Sequence, residues 1–222
     1  IRKFLHELDI RIRARYPLIA INTFEEDRVR EALVDLVFQD RHKEKPLYFW
    51  SRPSGLQKVV DPKEGLLGSP QTIGDTEDPE SLLGFISEQR TGIFLLCDYA
   101  PYISPYGQED HLLVRRLREI AWKLKSTKAT VLFVGPNFPE LKTLEKEVTQ
   151  IDLDLPKESE IEDSIELQFE NLRSNGLDIS LTKETQVALQ QSLLGLTAVE
   201  ISNVVAKAVI SCNGLNQDSI NV

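Results

Sequence analysis

Few residues in this chain have the types and spacing that catalysis or metal binding requires. Cys97 and Cys212 are the two cysteines, and the sequence has no cluster of cysteine and histidine at metal-ligand spacing. His6 and His111 lie in helical patterns and His42 in a charged run, and none adjoins a serine or cysteine in a nucleophile turn. We therefore expect no catalytic residue, no resident metal and a reducing compartment for the thiols.

The turn after the first apolar run is the place where an α/β sheet would bind phosphate. A phosphate loop needs glycines and a lysine there, whereas residues 22–27 are Asn-Thr-Phe-Glu-Glu-Asp. Glu25, Glu26 and Asp27 repel a triphosphate and instead complement the positive end of the helix that follows. The sequence therefore predicts no phosphate-loop chemistry in this turn.

An acidic residue closes a later apolar run. Asp98 follows residues 94–97, a pattern that resembles the acid-ended strand that holds Mg²⁺ in P-loop nucleoside triphosphatases. A buried strand that ends in an acid at its solvated edge is also ordinary, and Tyr99 stands where a catalytic acid would be needed. Because the phosphate loop is missing, we favour a structural or relic role for Asp98.

Cations gather on or just after one helical pattern, beside Trp122. They are Arg115, Arg116, Arg118, Lys123, Lys125 and Lys128. These side chains suit phosphate, nucleic acid or an acidic partner, but the apolar residues between them have helical spacing, which favours the solvated face of a core-packed helix. With 35 acidic against 26 basic side chains and a net charge of −9, the chain is a poor candidate for binding nucleic acid.

Strands and helices must alternate to position these residues. Apolar runs predict five strands, at residues 18–22, 47–50, 92–97, 130–134 and 148–153. Helices are expected over 26–38, 79–89 and 111–125, the second with Asp78 as its N-cap. These strands are apolar throughout instead of alternating apolar and polar residues, and helices link them. This pattern requires a parallel sheet that is covered on both sides. The fold class is therefore a doubly wound α/β sheet of five parallel strands.

The flanking segments complete the expected organisation. An amphipathic helix occupies residues 1–15, the α/β domain 16–156, and an all-helical subdomain with the start of a linker 157–222. The helices of the all-helical subdomain are expected over 158–174, 183–194 and 197–211, with Thr197 and Glu200 as a capping box. Residues 51–78, rich in glycine and proline, predict a long loop. The absence of an initiator methionine suggests a segment of a longer protein.

Several motifs resemble those of AAA+ ATPases. Residues 131–141, which contain Asn137, then 148–156 and the acidic helix after them, resemble the sensor-1 strand, the fifth strand and the entry to the lid. Residues 193–209 resemble the segment that opens the last lid helices. Three further stretches, at 15–19, 89–94 and 144–156, are similar to the N-terminal half of a cyanobacterial and plastid-encoded family, the conserved chloroplast open reading frame forty-six.

The resemblance implies a degenerate AAA+ domain, because the phosphate loop, the catalytic glutamate after Asp98 and the arginine finger in 142–147 are missing. It implies relic cofactor sites at Asp98 and Asn137, no cofactor held by this segment, and ATP with Mg²⁺ in a second module downstream. Expected partners are that module, neighbouring subunits of a ring and a protein client, with no membrane span. The implied location is cyanobacterial cytoplasm or chloroplast stroma, with a role in photosynthetic carbon use.

Our leading hypothesis is a non-hydrolysing AAA+-like interaction domain. One alternative is a nucleotide sensor that keeps weak ATP or ADP binding through Asp98, Asn137 and a basic lid residue such as Lys207. The other is a scaffold for DNA processing, similar to a degenerate clamp-loader subunit, that uses the basic face at 115–128. Steeply salt-dependent binding of duplex DNA is its signature.

Overall fold

The computed structural model of the chain describes residues 1–38, 42–60, 70–174, 176–211 and 214. It divides into two compact units, Ile1–Leu153 and Asp154–Val222. Cys212 and the central part of the predicted loop, residues 61–69, lie outside the described residues.

The first unit alternates strands and helices. Its strands are β1 (Leu18–Asn22), β2 (Leu47–Ser51), β3 (Gly55–Lys58), β4 (Gln71–Ile73), β5 (Thr91–Cys97), β6 (Lys128–Gly135) and β7 (Val148–Asp152). Its helices are α1 (Arg2–Arg13), α2 (Glu26–Phe38), α3 (Pro79–Glu88), α4 (Ala100–Ile103) and α5 (His111–Leu124). Short 3₁₀ turns occupy Pro105–Gly107 and Lys142–Leu144.

The sheet has the strand order β4-β3-β2-β5-β6-β1-β7. Five neighbouring strands, from β2 to β7 in that order, pair in parallel, and they are the five that the sequence predicts. The expected number of strands is too low, because β3 and β4 add antiparallel strands beside β2 from the segment predicted as a loop. Thr76 fixes this extension, since its hydroxyl donates to the Ile73 carbonyl (2.6 Å) and accepts from the Leu56 N–H (2.8 Å).

Helices cover both faces of the sheet. Ile19, Ile21 and Leu95 point to a core that includes α1 and α2, whereas Ala20 and Leu96 point to a core that includes α3 and α5. Alternate residues of each strand face opposite layers. Both layers are apolar, which is why the strands show no alternation of apolar and polar residues.

A buried hydrogen bond holds α1 against the segment before β2. His42 is 2% exposed, and its Nε2 donates to the carboxylate of Asp9 at 2.6 Å. Burial raises the pKa of Asp9, but the hydrogen bonds from His42 and Arg13 outweigh it and leave that pKa below its ordinary value. The sequence placed His42 in a charged run and did not predict its burial.

The second unit is helical in its described part. It contains α6 (Glu158–Ser174), α7 (Lys183–Ser192) and α8 (Ala198–Ser211), packed around residues such as Ile161, Phe169 and Val205. The predicted capping box is present, because the Thr197 N–H donates to the Glu200 carboxylate (2.8 Å) and the Glu200 N–H donates to the Thr197 hydroxyl (3.2 Å). Of the helices in the described ranges, none combines the length and apolar composition needed to cross a membrane.

The N-cap of α3 gives a test of the first unit. Asp78 accepts from the backbone N–H groups of Glu80 (3.0 Å) and Ser81 (3.1 Å). We expect Asp78→Ala to lower the free energy of unfolding by about 1 kcal/mol at pH 7, since the cap is lost. Asp78→Asn keeps an acceptor and is the matched control. Urea unfolding followed by tryptophan fluorescence measures both, and equal stability of the alanine variant and the wild type would contradict the cap.

The same cap predicts a pH dependence. The Ser81 N–H, with the Glu80 N–H and Arg52, holds the pKa of Asp78 below its ordinary value of 3.8 despite some desolvation. Because the pKa of Asp78 is lower in the folded protein than in the unfolded chain, its ionised carboxylate contributes its full stabilisation above pH 3.8. This contribution is lost as the pH falls through the folded pKa. The stability difference between wild type and Asp78→Asn should therefore shrink in acid, and a difference that is constant with pH would contradict the assignment.

Candidate functional site at the carboxyl edge of the sheet

Ligands of open α/β sheets bind where neighbouring strands send the chain to opposite faces. In this sheet that point lies between β1 and β6, which pair in parallel. The helix after β1, α2, packs on the face of α1, whereas the connection after β6 packs Leu141 and Leu144 on the face of α5. The crevice at the carboxyl ends of β1 and β6 is therefore the candidate site.

The turn after β1 uses its backbone donors within the protein. The Thr23 N–H donates to the Gly135 carbonyl (2.9 Å), and the Glu25 N–H donates to the Thr23 hydroxyl (3.0 Å). Glu25 is 4% exposed and its carboxylate forms an ion pair with Arg28. Phe24 projects outward and is 81% exposed. The turn therefore presents a carboxylate and an aromatic ring where a phosphate loop would present N–H groups.

Asn22, the last residue of β1, bonds the segments on both sides of its strand. Its side-chain oxygen accepts from the Phe138 N–H (3.1 Å), and its side-chain nitrogen donates to Gln150 (3.2 Å) and to Asp152 (3.1 Å). A small cavity at the ends of β1 and β6 has a volume of about 10 Å³, and Asn137 lines it. A cavity of roughly that size holds one water molecule. A larger cavity of about 490 Å³ lies beside the connection from β6 to β7, where Phe138 and Gln150 line it.

Asp98 and Asn137, the two residues proposed from sequence, lie after the neighbouring strands β5 and β6. Both are exposed. Asp98 has a left-handed backbone (φ 50°), which aspartate tolerates better than most residues, and its N–H donates to the Val134 carbonyl (3.1 Å). A Cβ atom added at Gly135 would lie 3.7 Å from a carboxylate oxygen of Asp98. The Asp98 carboxylate therefore lies over the end of β6. The fold thus brings both residues to one edge.

Tyr99 is a core residue. It is fully buried, its ring packs against Trp50 (5.3 Å between centroids) and Phe133 (5.6 Å), and its hydroxyl donates to the Pro79 carbonyl (3.1 Å). Burial raises the pKa of Tyr99, and burial likewise raises the pKa of the neighbouring Cys97 thiol. Both groups therefore stay protonated near neutral pH and are unsuited to proton transfer or nucleophilic attack.

The residues at this edge do not fit a magnesium-bound triphosphate. Glu25, Glu26 and Asp27 place negative charge at the start of α2, where phosphate oxygens would lie. Within the described ranges, no group of three or more histidine, cysteine or acidic side chains is placed to hold a metal ion. The side chain of Asn22, at the end of β1, is engaged by Phe138, Gln150 and Asp152.

The cationic face of α5 has a definite geometry. Trp122 is 49% exposed, and the guanidinium groups of Arg115 and Arg118 lie 5.4 and 5.8 Å from its ring centroid. Arg115 also pairs with Glu119 (2.8 Å), and Arg118 lies 3.5 Å from the buried Glu147. The other cations of the face are exposed, namely Arg116, Lys123 and Lys125. Lys207 is exposed on α8 of the second unit.

A family described as the SpoVK-like AAA ATPase N-terminal domain matches residues 4–153, and the match ends at the last residue of the first unit. The chain belongs to this family. The parallel order of the sheet and the helices on both faces of this SpoVK-like AAA domain agree with the expected AAA+ architecture.

The SpoVK-like AAA domain also has similar curated relatives. Proteins named "Uncharacterized AAA domain-containing protein ycf46" from Trieres chinensis, Guillardia theta and Pyropia yezoensis are each 25% identical to it. Each alignment covers 99% of this chain and 40 to 41% of the relative. The chain therefore spans about two fifths of the length of these relatives, and its resemblance to the family of open reading frame forty-six is confirmed.

Two asparagines of the SpoVK-like AAA domain offer a matched test. Asn22→Ala removes three hydrogen bonds that join β1 to β7 and to the segment after β6, so we expect a loss of about 1–2 kcal/mol in the free energy of unfolding. Asn137 is exposed and makes no side-chain hydrogen bond to the described residues, so Asn137→Ala should change stability by less than about 0.5 kcal/mol. Urea unfolding measures both, and equal losses would show that Asn22 has no special role.

Proposed function

We propose that this SpoVK-like AAA domain is a non-hydrolysing, degenerate AAA+ module whose work is binding. The observation that carries the proposal is the turn after β1, which has Asn-Thr-Phe-Glu-Glu-Asp in place of a phosphate loop and whose Asn22 bonds β7 and the segment after β6. Hydrolysis of a nucleotide requires N–H donors, a cation and a metal around the phosphates, and this edge supplies buried Glu25 instead. The scaffold of an AAA domain is kept while its phosphate site is replaced.

The face of α5 is the proposed binding surface, and an acidic protein surface is its proposed partner. Tryptophan and arginine are the residues most enriched at energetic hot spots of protein interfaces. Trp122 provides a half-exposed aromatic surface, and Arg115 and Arg118 lie close enough to its ring for cation–π contact. Because Arg118 is also held near Glu147, part of the surface is ordered before a partner binds.

The partner that we propose is the downstream AAA+ module of the parent chain, with neighbouring subunits and a client as further partners. The chain spans about two fifths of its curated relatives, so the length of those proteins leaves room for such a module. We propose that the parent binds ATP and Mg²⁺ there, assembles into a ring and serves photosynthetic carbon use in a plastid stroma or cyanobacterial cytoplasm.

Within this chain, residues 1–15 form the leading helix, 16–156 the AAA-like domain and 157–222 its lid and a linker.

Calorimetric titration with Mg-ATP and Mg-ADP tests the loss of nucleotide chemistry. We expect no binding at the carboxyl edge, so the heats of the wild type and of Asp98→Ala should be the same. Binding in the micromolar range that Asp98→Ala abolishes would overturn the proposal and make the domain a nucleotide sensor. Binding that survives this substitution lies elsewhere and agrees with the proposal.

Substitution of Trp122 tests the binding surface. When the chain is mixed with the separately expressed downstream module, we expect Trp122→Ala to weaken the complex about 30-fold, as a hot-spot tryptophan does. Phe24→Ala removes an exposed aromatic side chain at the carboxyl edge; it is the control and should leave the affinity unchanged. Fluorescence anisotropy of the labelled module measures the dissociation constants. Equal effects of the two substitutions would remove the α5 face from the proposal.

A further inference from the structure

The opposite edge of the sheet, at the amino ends of its parallel strands, carries a row of cations. Lys128 begins β6 and is level with Thr91 of β5. The register continues beyond the neighbouring strands, since the Val131 N–H donates to the Pro17 carbonyl and the Ile93 N–H donates to the Pro46 carbonyl, both at 2.9 Å. Arg15 and Lys45 lie two residues before Pro17 and one residue before Pro46, so both are at the same edge of the sheet as Lys128 and Thr91.

The cations of this row are close enough to act on one another. Neighbouring strands lie about 4.8 Å apart, so three spacings separate β1 from β2 by roughly 14 Å, and the row lies within that width. Burial lowers the pKa of the half-buried Lys45, and the charges of Lys128 and Arg15 lower it further, against the opposite effect of Asp9.

The row has no compensating acid within the described residues. No ion pair joins Arg15, Lys45 or Lys128 to a carboxylate. Asp9, the acid that acts on Lys45, is already engaged by His42 and Arg13. On a chain with a net charge of −9, a row of uncompensated cations is a local exception.

Helix dipoles do not explain the row. Cations in the last turn of a helix stabilise the negative end of its dipole, and Arg13 of α1 has this position. Lys45 and Lys128, by contrast, lie outside the helices.

Arg15 has a backbone conformation that an arginine adopts at a cost. Helix α1 ends in a Schellman motif, with the Tyr16 N–H bonded to the Arg11 carbonyl (3.0 Å) and the Arg15 N–H to the Ile12 carbonyl (3.2 Å). Arg15 therefore stands at the left-handed position (φ 61°) that glycine usually fills. A strained residue next to two uncompensated lysines points to a role for its side chain.

We propose that Arg15, Lys45 and Lys128 form a binding site for a phosphate group at the amino edge of the sheet. Three cations at one edge match a doubly charged phosphate better than a singly charged carboxylate, and a guanidinium bonds phosphate oxygens in pairs. Thr91, level with Lys128, adds a hydroxyl at the same edge. This site is separate from the carboxyl edge and from the proposed α5 surface, so its test is independent of theirs.

The test is a titration with inorganic phosphate followed by ³¹P line broadening, with sodium chloride at equal ionic strength as the reference. We expect saturable binding by the wild type that becomes about tenfold weaker or more in Lys128→Gln, since a charge-assisted bond is lost. Arg52→Gln, which removes an exposed cation at the carboxyl edge, should bind phosphate like the wild type. No saturable binding, or an equal loss in both variants, would overturn the proposal.

Arg15→Gly separates binding from folding. Glycine relieves the left-handed strain, so the variant should melt at a higher temperature than the wild type in chloride and still bind phosphate more weakly. Phosphate stabilises many proteins without binding, so only the difference between variants in the phosphate-induced melting shift is evidence of a site. An Arg15→Gly variant with unchanged phosphate affinity would contradict the assignment.

Competition with other anions identifies the kind of molecule that carries the phosphate group. Glycerol phosphate should compete with inorganic phosphate if a small phosphate ester is the natural ligand, whereas acetate should not compete. Tighter and steeply salt-dependent binding of a single-stranded oligonucleotide would replace the proposal by a nucleic-acid site. Competition by poly-glutamate alone would replace it by a docking surface for an acidic protein.

Discussion

One side-chain amide joins the three segments that meet at the carboxyl edge of the sheet. Asn22 ends β1 and bonds the connection after β6 as well as two residues of β7. In an open α/β sheet these segments must part, because the chain turns to opposite faces there. The amide holds the segment after β6 to β1 and β7 where they part. The turn that follows Asn22 is fixed in the same corner, since the Thr23 hydroxyl accepts from the Glu25 N–H and Glu25 is buried.

Local chemistry allowed much of the fold to be predicted. Helices α2 and α6 have the bounds that periodicity and flanking residues indicate, and the Asp78 and Thr197 caps are both formed. The five parallel strands were found because burial on both faces leaves continuous apolar runs. Such signals depend on residues near one another in the chain, and a single sequence displays them fully.

Features that depend on distant partners were missed. Strands β3 and β4 are short and partly polar, and they are fixed by Thr76, which lies after both of them. His42 is buried because Asp9, 33 residues away, receives its hydrogen bond. At the candidate site, the sequence identified Asp98 and Asn137 by resemblance but not Asn22, whose role appears only when β1 and β7 lie side by side.

The outermost strand of the sheet has a consequence for the behaviour of the protein in a crowded solution. An unpaired strand edge is a template on which another chain can add a strand and start aggregation. Here β4 ends one side of the sheet, is only three residues long, and exposes Gln71 and Thr72. Such an edge offers a foreign strand few backbone partners and little apolar surface. The short antiparallel addition therefore covers the apolar strand β2 and limits strand addition on this side of the sheet, whereas β7 forms the opposite edge.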